Sequence, residues 1–200
     1  MSANATIAAK SNKIELYTDK DNSSVVISTN GVGAAEDAFF QATTKGINLD
    51  NVIVAIDVSN IEGGLSGNMQ FKDASNKQSV LFNFNKSNVI TSAGSGKELA
   101  TLSKGKWTKL AFAINFATRK YTTYVNGNSV EKNVDLQGSS AKEFNFMRLY
   151  MSKGSNGDML IDNFAIYEGT EPRDITEEVK AMPSPTPVVT PKPAGSGDVI

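Results

Sequence analysis

The chain has 200 residues with no Cys, no His, a single Trp, and 20 Lys plus Arg against 21 Asp plus Glu, a formal net charge of −1. Without thiol or imidazole it has no thiolate or imidazole nucleophile or base, no disulfide, and no metal site that depends on either ligand; the metals left are hard, oxygen-loving cations such as calcium. Its basic residues form no run and no apolar stretch approaches the roughly 18 residues of a membrane span, so neither nucleic acid nor membrane is an expected partner.

In chain order, Met1 to Ser11 is polar and Ala-rich, with no charged-then-apolar export pattern. From about Lys13 to Tyr167 the apolar residues recur at period two. Asp19-Lys20-Asp21 lies within turn chemistry, Thr18 to Ser24, and Gly31-Val32-Gly33 lacks the third glycine and the following helix of a dinucleotide loop. Val52, Val54, Ile56 and Val58 alternate with Ile53, Ala55, Asp57 and Ser59. Met69 and Phe71 alternate with Asn68, Gln70 and Lys72, and Val80, Phe82 and Phe84 with Ser79, Leu81, Asn83 and Asn85. Ser95-Gly96-Lys97-Glu98 echoes a phosphate loop, but Thr91 stands where the first glycine belongs and Glu98 where Ser or Thr belongs. Leu110, Phe112, Ile114 and Phe116 alternate with Lys109, Ala111, Ala113 and Asn115.

Such alternation predicts half-buried antiparallel strands, and many of them separated by Gly, Asn, Asp and Ser predict a β-sandwich. Asn126-Gly127 predicts a type I′ hairpin, because both central positions of that turn need φ > 0. Together with the tight connection Phe116-Ala117-Thr118-Arg119, it predicts three consecutive antiparallel strands from Trp107 to Val130. Ser155-Asn156-Gly157-Asp158 predicts a turn joining Phe146–Met151 to Met159–Tyr167. Asp174 to Met182 predicts the one helix, capped by Asp174 with Glu177 three residues on and with Ile175, Val179 and Met182 on one face. From Pro183 five of the six prolines fall within eleven residues, which predicts an extended, disordered linker over 183–200 that follows a sandwich domain over 5–182.

The runs Trp107-Thr108-Lys109-Leu110-Ala111-Phe112-Ala113-Ile114, Tyr121-Thr122-Thr123-Tyr124-Val125-Asn126-Gly127, Met147-Arg148-Leu149-Tyr150 and Ile161-Asp162-Asn163-Phe164-Ala165-Ile166-Tyr167 resemble the closing strands of concanavalin A-like, or laminin G-like, jelly-roll domains. With the Pro/Thr linker, the nearest resemblance is to family-66-like carbohydrate-binding modules of secreted bacterial polysaccharide-degrading enzymes such as pectate lyases. The resemblance implies an all-β, two-sheet antiparallel sandwich, an extracellular or cell-surface location, a monomer, and a catalytic module beyond the linker. It also places strand-initial Trp107 in the core.

Concanavalin-like glucanases carry a Glu-x-Asp pair on a strand, where side chains two apart enter one groove. This sequence has none, and a lyase of the alginate type would bring a His beside a Tyr base. The expected function is therefore non-catalytic binding of a plant or microbial polysaccharide, with a laminin G-like protein-contact or spacer domain as the alternative and a lyase or hydrolase behind it. The outward parity offers Asp57, Gln70, Asn83, Lys109, Asn115, Tyr124, Arg148 and Tyr150 as the carbohydrate-binding set. Their amides, carboxylate, guanidinium and phenols suit sugar hydroxyls and C–H faces. With only three Arg against seventeen Lys, mid-strand Arg148 is suited to a sugar diol or a uronate carboxylate, or else to an ion pair with a carboxylate such as Asp57. Asp162 has the parity of Leu160, Phe164 and Ile166, so without a bulge it points inward; a buried carboxylate needs hydrogen bonds or a cation. The resemblance implies a structural calcium near the first and last strands, which makes Asp162 the candidate metal ligand, with an Asp that accepts backbone donors at a bulge as the equal alternative.

Overall fold

The computed structural model describes residues 4–9, 14–19, 22–28, 38–43, 50–64, 66–73, 75–138, 143–152 and 156–173. The expected C-terminal helix and proline-rich linker lie outside the described residues. Within these, every regular element is a strand: β1 (Asn4–Ala9), β2 (Ile14–Asp19), β3 (Asn22–Ser28), β4 (Ala38–Thr43), β5 (Asn51–Gly64), β6 (Gly67–Lys72), β7 (Gln78–Phe84), β8 (Val89–Ser92), β9 (Glu98–Thr101), β10 (Trp107–Asn115), β11 (Lys120–Val125), β12 (Asn128–Asp135), β13 (Phe146–Met151) and β14 (Asn156–Glu168). They form two seven-stranded antiparallel sheets. The first, sheet A, runs β1-β4-β13-β6-β7-β8-β9 and the second, sheet B, runs β12-β11-β10-β5-β14-β3-β2. This is the antiparallel sandwich that the period-two pattern and the jelly-roll resemblance lead one to expect.

The alternation read from the sequence builds the core directly. Val52, Val54, Ile56 and Val58 of β5 and Leu110, Phe112 and Ile114 of β10 are buried against Met69 and Phe71 of β6, Val80 and Phe82 of β7 and Met147, Leu149 and Met151 of β13. The aromatic centre links the sheets: Phe71 and Phe82 of sheet A lie 5.1 and 4.6 Å, centroid to centroid, from Phe112 of sheet B. Each such side chain contributes about 1.5–3 kcal/mol through its removal from water. A second tie joins the sheet edges beside β8 and β11. There the buried Ser92 and Tyr121 hydroxyls are 2.8 Å apart, and buried Glu131 of β12 accepts from Thr123 Oγ1 at 3.1 Å and from Ser95 Oγ.

β10, β11 and β12 are consecutive neighbours, as expected. Asn126 (φ 49°) and Gly127 (φ 80°) both have positive φ, as the sequence-predicted type I′ turn requires. The connection from β13 to β14 departs from expectation. Asn156 and Gly157 are already part of β14, and β14 belongs to the opposite sheet from β13, so the segment carries the chain across the sandwich instead of closing a hairpin. Gly67 marks a close approach that only glycine allows: a Cβ there would lie 2.0 Å from the Tyr150 carbonyl oxygen of β13.

At Asp162 the bulge that the sequence reading left open is present. Met159 and Ile161 are buried, Phe164 and Ile166 pack against the same core, and the two series are out of phase. A register irregularity between Asp162 and Ala165, with Asn163 at φ 46°, absorbs the extra residue. Asp162 therefore keeps the outward parity opposite Asp57 of β5 and is half-buried rather than enclosed.

Candidate functional site

The registers of sheet B set its outer face out in rows across β10, β5 and β14. Trp107 lies opposite Ser59 and Ser59 opposite Leu160; the next row is Lys109, Asp57 and Asp162; the next is Ala111, Ala55 and Ala165, with Tyr124 of β11 beside Ala111. One row further on, Ile53 has outward parity yet is fully buried. Tyr167 is its register partner, and the segment after β14 passes over it, with Gly169 so close that a Cβ would sit 3.3 Å from Ile53 Cγ1.

These features enclose a cleft of about 420 Å³, within the size range of small-ligand sites. Its floor includes Ala55 and Ala111, its sides carry Asp57, Lys109, Tyr124, Asn126 and Asn163, and Glu171, Pro172 and Arg173 form one wall. The wall is anchored from within: the Arg173 backbone N–H donates to Tyr167 Oη at 3.0 Å and its guanidinium lies 4.8 Å from the Tyr167 ring centroid. Asn126 fixes the hairpin to β10, its Oδ1 accepting the Lys109 N–H at 2.9 Å and its own N–H donating to the Lys109 carbonyl at 2.8 Å. Asn163, presented by the bulge, donates from Nδ2 to Asp57 Oδ2 at 2.8 Å, while Asp162 Oδ1 accepts the Asn163 N–H at 2.7 Å.

Burial, and the Glu171 carboxylate after it, push the Tyr124 phenol above its ordinary value. It therefore stays protonated through neutral pH and can donate as well as accept. Ala55 and Ala111, with the Tyr124 ring on the strand beside Ala111, give the cleft an apolar part that matches the C–H face of a sugar ring, and the amides, carboxylate and ammonium around it match hydroxyls.

The sequence-predicted binding residues divide between two faces. Asp57, Lys109 and Tyr124 meet in this cleft. Asn115 is on the same sheet at the far end of β10, where its Nδ2 donates to Asn51 Oδ1 at 2.7 Å and its Oδ1 accepts the Thr118 N–H at 2.6 Å, beside a second depression. Gln70, Asn83, Arg148 and Tyr150 occupy the outer face of sheet A, on the other side of the sandwich. There Gln70 Nε2 donates to Asn68 Oδ1 at 2.7 Å, and Arg148 donates from Nε and an Nη to Gln41 Oε1 at 2.9 and 2.6 Å. Arg148 and Asp57 are thus separated by the core and form no pair.

The structure adds residues that sequence reasoning passed over. Trp107 is 41% exposed, on the same face as Lys109 and Asp57, which corrects the core position that the resemblance implies. Its parity is that of Lys109, whereas the alternate residue Thr108 is buried. Asn126 was legible only as a turn residue, and Asn163, Glu171 and Arg173 reach the cleft through a bulge and a fold-back that periodicity does not reveal.

For a cation, Asp162 and Asp57 supply two carboxylates in register, flanked by Lys109 on the other side of Asp57. Among the described residues no group of three or more acidic or His/Cys side chains gathers. Calcium takes six to eight oxygens, so an ion at Asp162 would draw the remainder from carbonyls and water, in competition with the Lys109 ammonium.

No family model matches the sequence, and no curated protein matches it. Solved structures do match in fold. The chain is similar to a sialidase (TM-score 0.56, 10% identity), covering 76% of this chain but only 16% of that one. It is similar to the cellulose-induced protein Cip1 (TM-score 0.57, 12% identity) over 82% of this chain and 89% of that one. It is also similar to domain 4 of AbnA, a GH43 extracellular arabinanase from Geobacillus stearothermophilus solved in complex with arabinotriose (TM-score 0.51, 16% identity), over 85% and 84%. At these identities the likeness establishes the shared β-sandwich fold.

Proposed function

We propose that this domain binds polysaccharide without cleaving it, through the sheet B cleft, and holds an attached polysaccharide-degrading enzyme near its substrate by raising the effective concentration. The observation that carries the reading is the cleft itself: an alanine floor, the Tyr124 phenol and convergent amides on one side of the sandwich. The fold shared with an arabinotriose-bound domain of an arabinanase and with a sialidase supports it at the level of architecture. In this reading Tyr124 supplies the stacking surface, Asp57 and Asn163 accept and donate to ring hydroxyls, Lys109 and Asn126 line the hairpin side, and Trp107 extends the face beyond the cleft. The absence of His and of a Glu-x-Asp strand pair supports binding over hydrolysis. An extracellular setting, a monomer, and a catalytic module beyond the linker belong to the same proposal, as does a calcium ion held at Asp162.

Affinity electrophoresis through gels containing neutral arabinan, xylan or β-glucan tests it. The wild-type protein is retarded by at least one, and Tyr124→Ala removes most of the retardation while the melting temperature is kept. Retardation that survives Tyr124→Ala, or release of reducing ends from the same polymers, contradicts the proposal.

A further inference from the structure

The segment that walls the cleft also borders its neighbour. Glu171, Pro172 and Arg173 line the cleft, and the two residues before them, Gly169 and Thr170, line the second depression, of about 300 Å³, together with Ala113, Asn115, Lys120 and Thr122. This stretch lies against β5: the Gly169 N–H donates to the Asn51 carbonyl at 3.4 Å, and Gly169 closes over Ile53.

On β10 and β11 the two depressions occupy successive rows. Ala111 pairs with Tyr124, Ala113 with Thr122 and Asn115 with Lys120; the first row lines the cleft and the next two line the second depression. Alternate residues of a strand share a face, so Ala111 and Ala113 put two small side chains in succession where larger ones would close the passage between the depressions. From Lys109 to Asn115 the strand rises about 20 Å, which is longer than one sugar ring.

The chemistry of the second depression is that of an uncharged, hydroxyl-rich ligand. Its one ammonium, Lys120, is matched by Asp135 at 2.7 Å. Its amides are set in place beforehand, since Asn115 Nδ2 donates to Asn51 Oδ1 at 2.7 Å. An amide carries two N–H donors and a carbonyl with two lone pairs, so that bond leaves capacity for a ligand hydroxyl.

We infer that the two depressions form one groove along β10 and β11 that takes a continuous run of neutral sugar units, the second depression supplying subsites beyond those of the cleft. The inference rests on the cleft being a sugar site. A chain laid along β10 passes from Tyr124 over Ala113 to the amides of Asn51 and Asn115, with the 169–173 segment at its side. Chain length is then the property that the groove selects.

Titration calorimetry on the full chain with neutral arabino- and gluco-oligosaccharides, from the trisaccharide to the hexasaccharide, tests this. Affinity rises with chain length, the hexasaccharide binding about tenfold more tightly than the trisaccharide. Ala113→Ile and Thr122→Ile, which fill the second depression from neighbouring strands, remove that gain and leave trisaccharide binding as it is, whereas Tyr124→Ala weakens both. Unfolding curves recorded in parallel check the fold of each variant. In wild-type protein, independently of any substitution, the side-chain amide signals of Asn51 and Asn115 shift with the hexasaccharide and stay in place with the trisaccharide. Equal affinity for the two lengths, equal loss for both in the filled variants, or unmoved Asn51 and Asn115 amides overturns the single groove and leaves the cleft a sugar site. Absence of binding at every length overturns the cleft reading and the groove with it.

Discussion

Tyr121 offers a quantitative check on how the two sheets are tied together. Its ring is 2% exposed and stands edge-on to Phe82, with centroids 5.9 Å apart and planes at 90°. Its hydroxyl meets Ser92 Oγ at 2.8 Å across the sandwich. Replacing it in Tyr121→Phe keeps the ring but strands the Ser92 hydroxyl, which is fully buried; an unpaired buried hydroxyl costs about 1–2 kcal/mol. The same burial pushes the phenol up to about 12, the Ser92 bond working against this and the Glu131 carboxylate adding to it.

A phenol that ionises near 10 in the unfolded chain and near 12 in the folded one contributes stability that is fully present below pH 10. That stability is lost as pH rises toward 12, at about 1.4 kcal/mol per pH unit. Urea unfolding followed by far-ultraviolet circular dichroism should therefore find Tyr121→Phe about 1–2 kcal/mol less stable than wild type at pH 8. The gap should close by roughly 1.5 kcal/mol as pH is raised from 10 to 11.5. A gap that does not change with pH, or a wild-type protein whose five tyrosines all titrate near 10 in difference absorbance, refutes the argument.

Gly127 faces open space, with φ 80° and no atom within 4 Å of an added Cβ, so Gly127→Ala isolates backbone strain. It should cost about 1–2 kcal/mol and lower the urea midpoint without changing the m-value; an unchanged midpoint rejects the type I′ assignment. If calcium screens the Asp57–Asp162 pair, the melting temperature rises on adding millimolar calcium and falls back with chelator, and Asp162→Asn abolishes the response. Identical melting with calcium and with chelator rejects calcium at Asp162.

Period two located the inner face of the core, because Val52, Val54, Ile56 and Val58 and Leu110, Phe112 and Ile114 line it from strands in the middle of a sheet, but it did not foresee that Ile53, Asp57 and Ser59 of the other parity are buried as well. It could not say which sheet a strand joins. Asp57 and Arg148 look alike in the sequence, each outward on its strand, yet pairing partners far apart in the chain send β5 and β13 to opposite sides. Pairing of this kind is non-local and leaves no trace in alternation. The bulge at Asp162 had a local signal: Met159 and Ile161 are out of phase with Phe164 and Ile166, and the Asp-Asn pair between them can adopt the left-handed conformation that such a phase slip demands. Trp107 shows the reverse lesson, since its own parity placed it outside while family likeness placed it in the core. The wall from Gly169 to Arg173 lies past the last strand, where periodicity ends.

The most direct test of the central claim uses the one tryptophan. On titration with neutral arabino- and gluco-oligosaccharides, the Trp107 indole N–H and the side-chain amides of Asn126 and Asn163 should shift together in a saturable manner in proton–nitrogen correlation spectra. The amides of Asn68 and Gln70, on the opposite sheet, should stay in place. Shifts confined to Asn68 and Gln70, or no saturable shift with any neutral oligosaccharide, would contradict a sugar-binding cleft on sheet B.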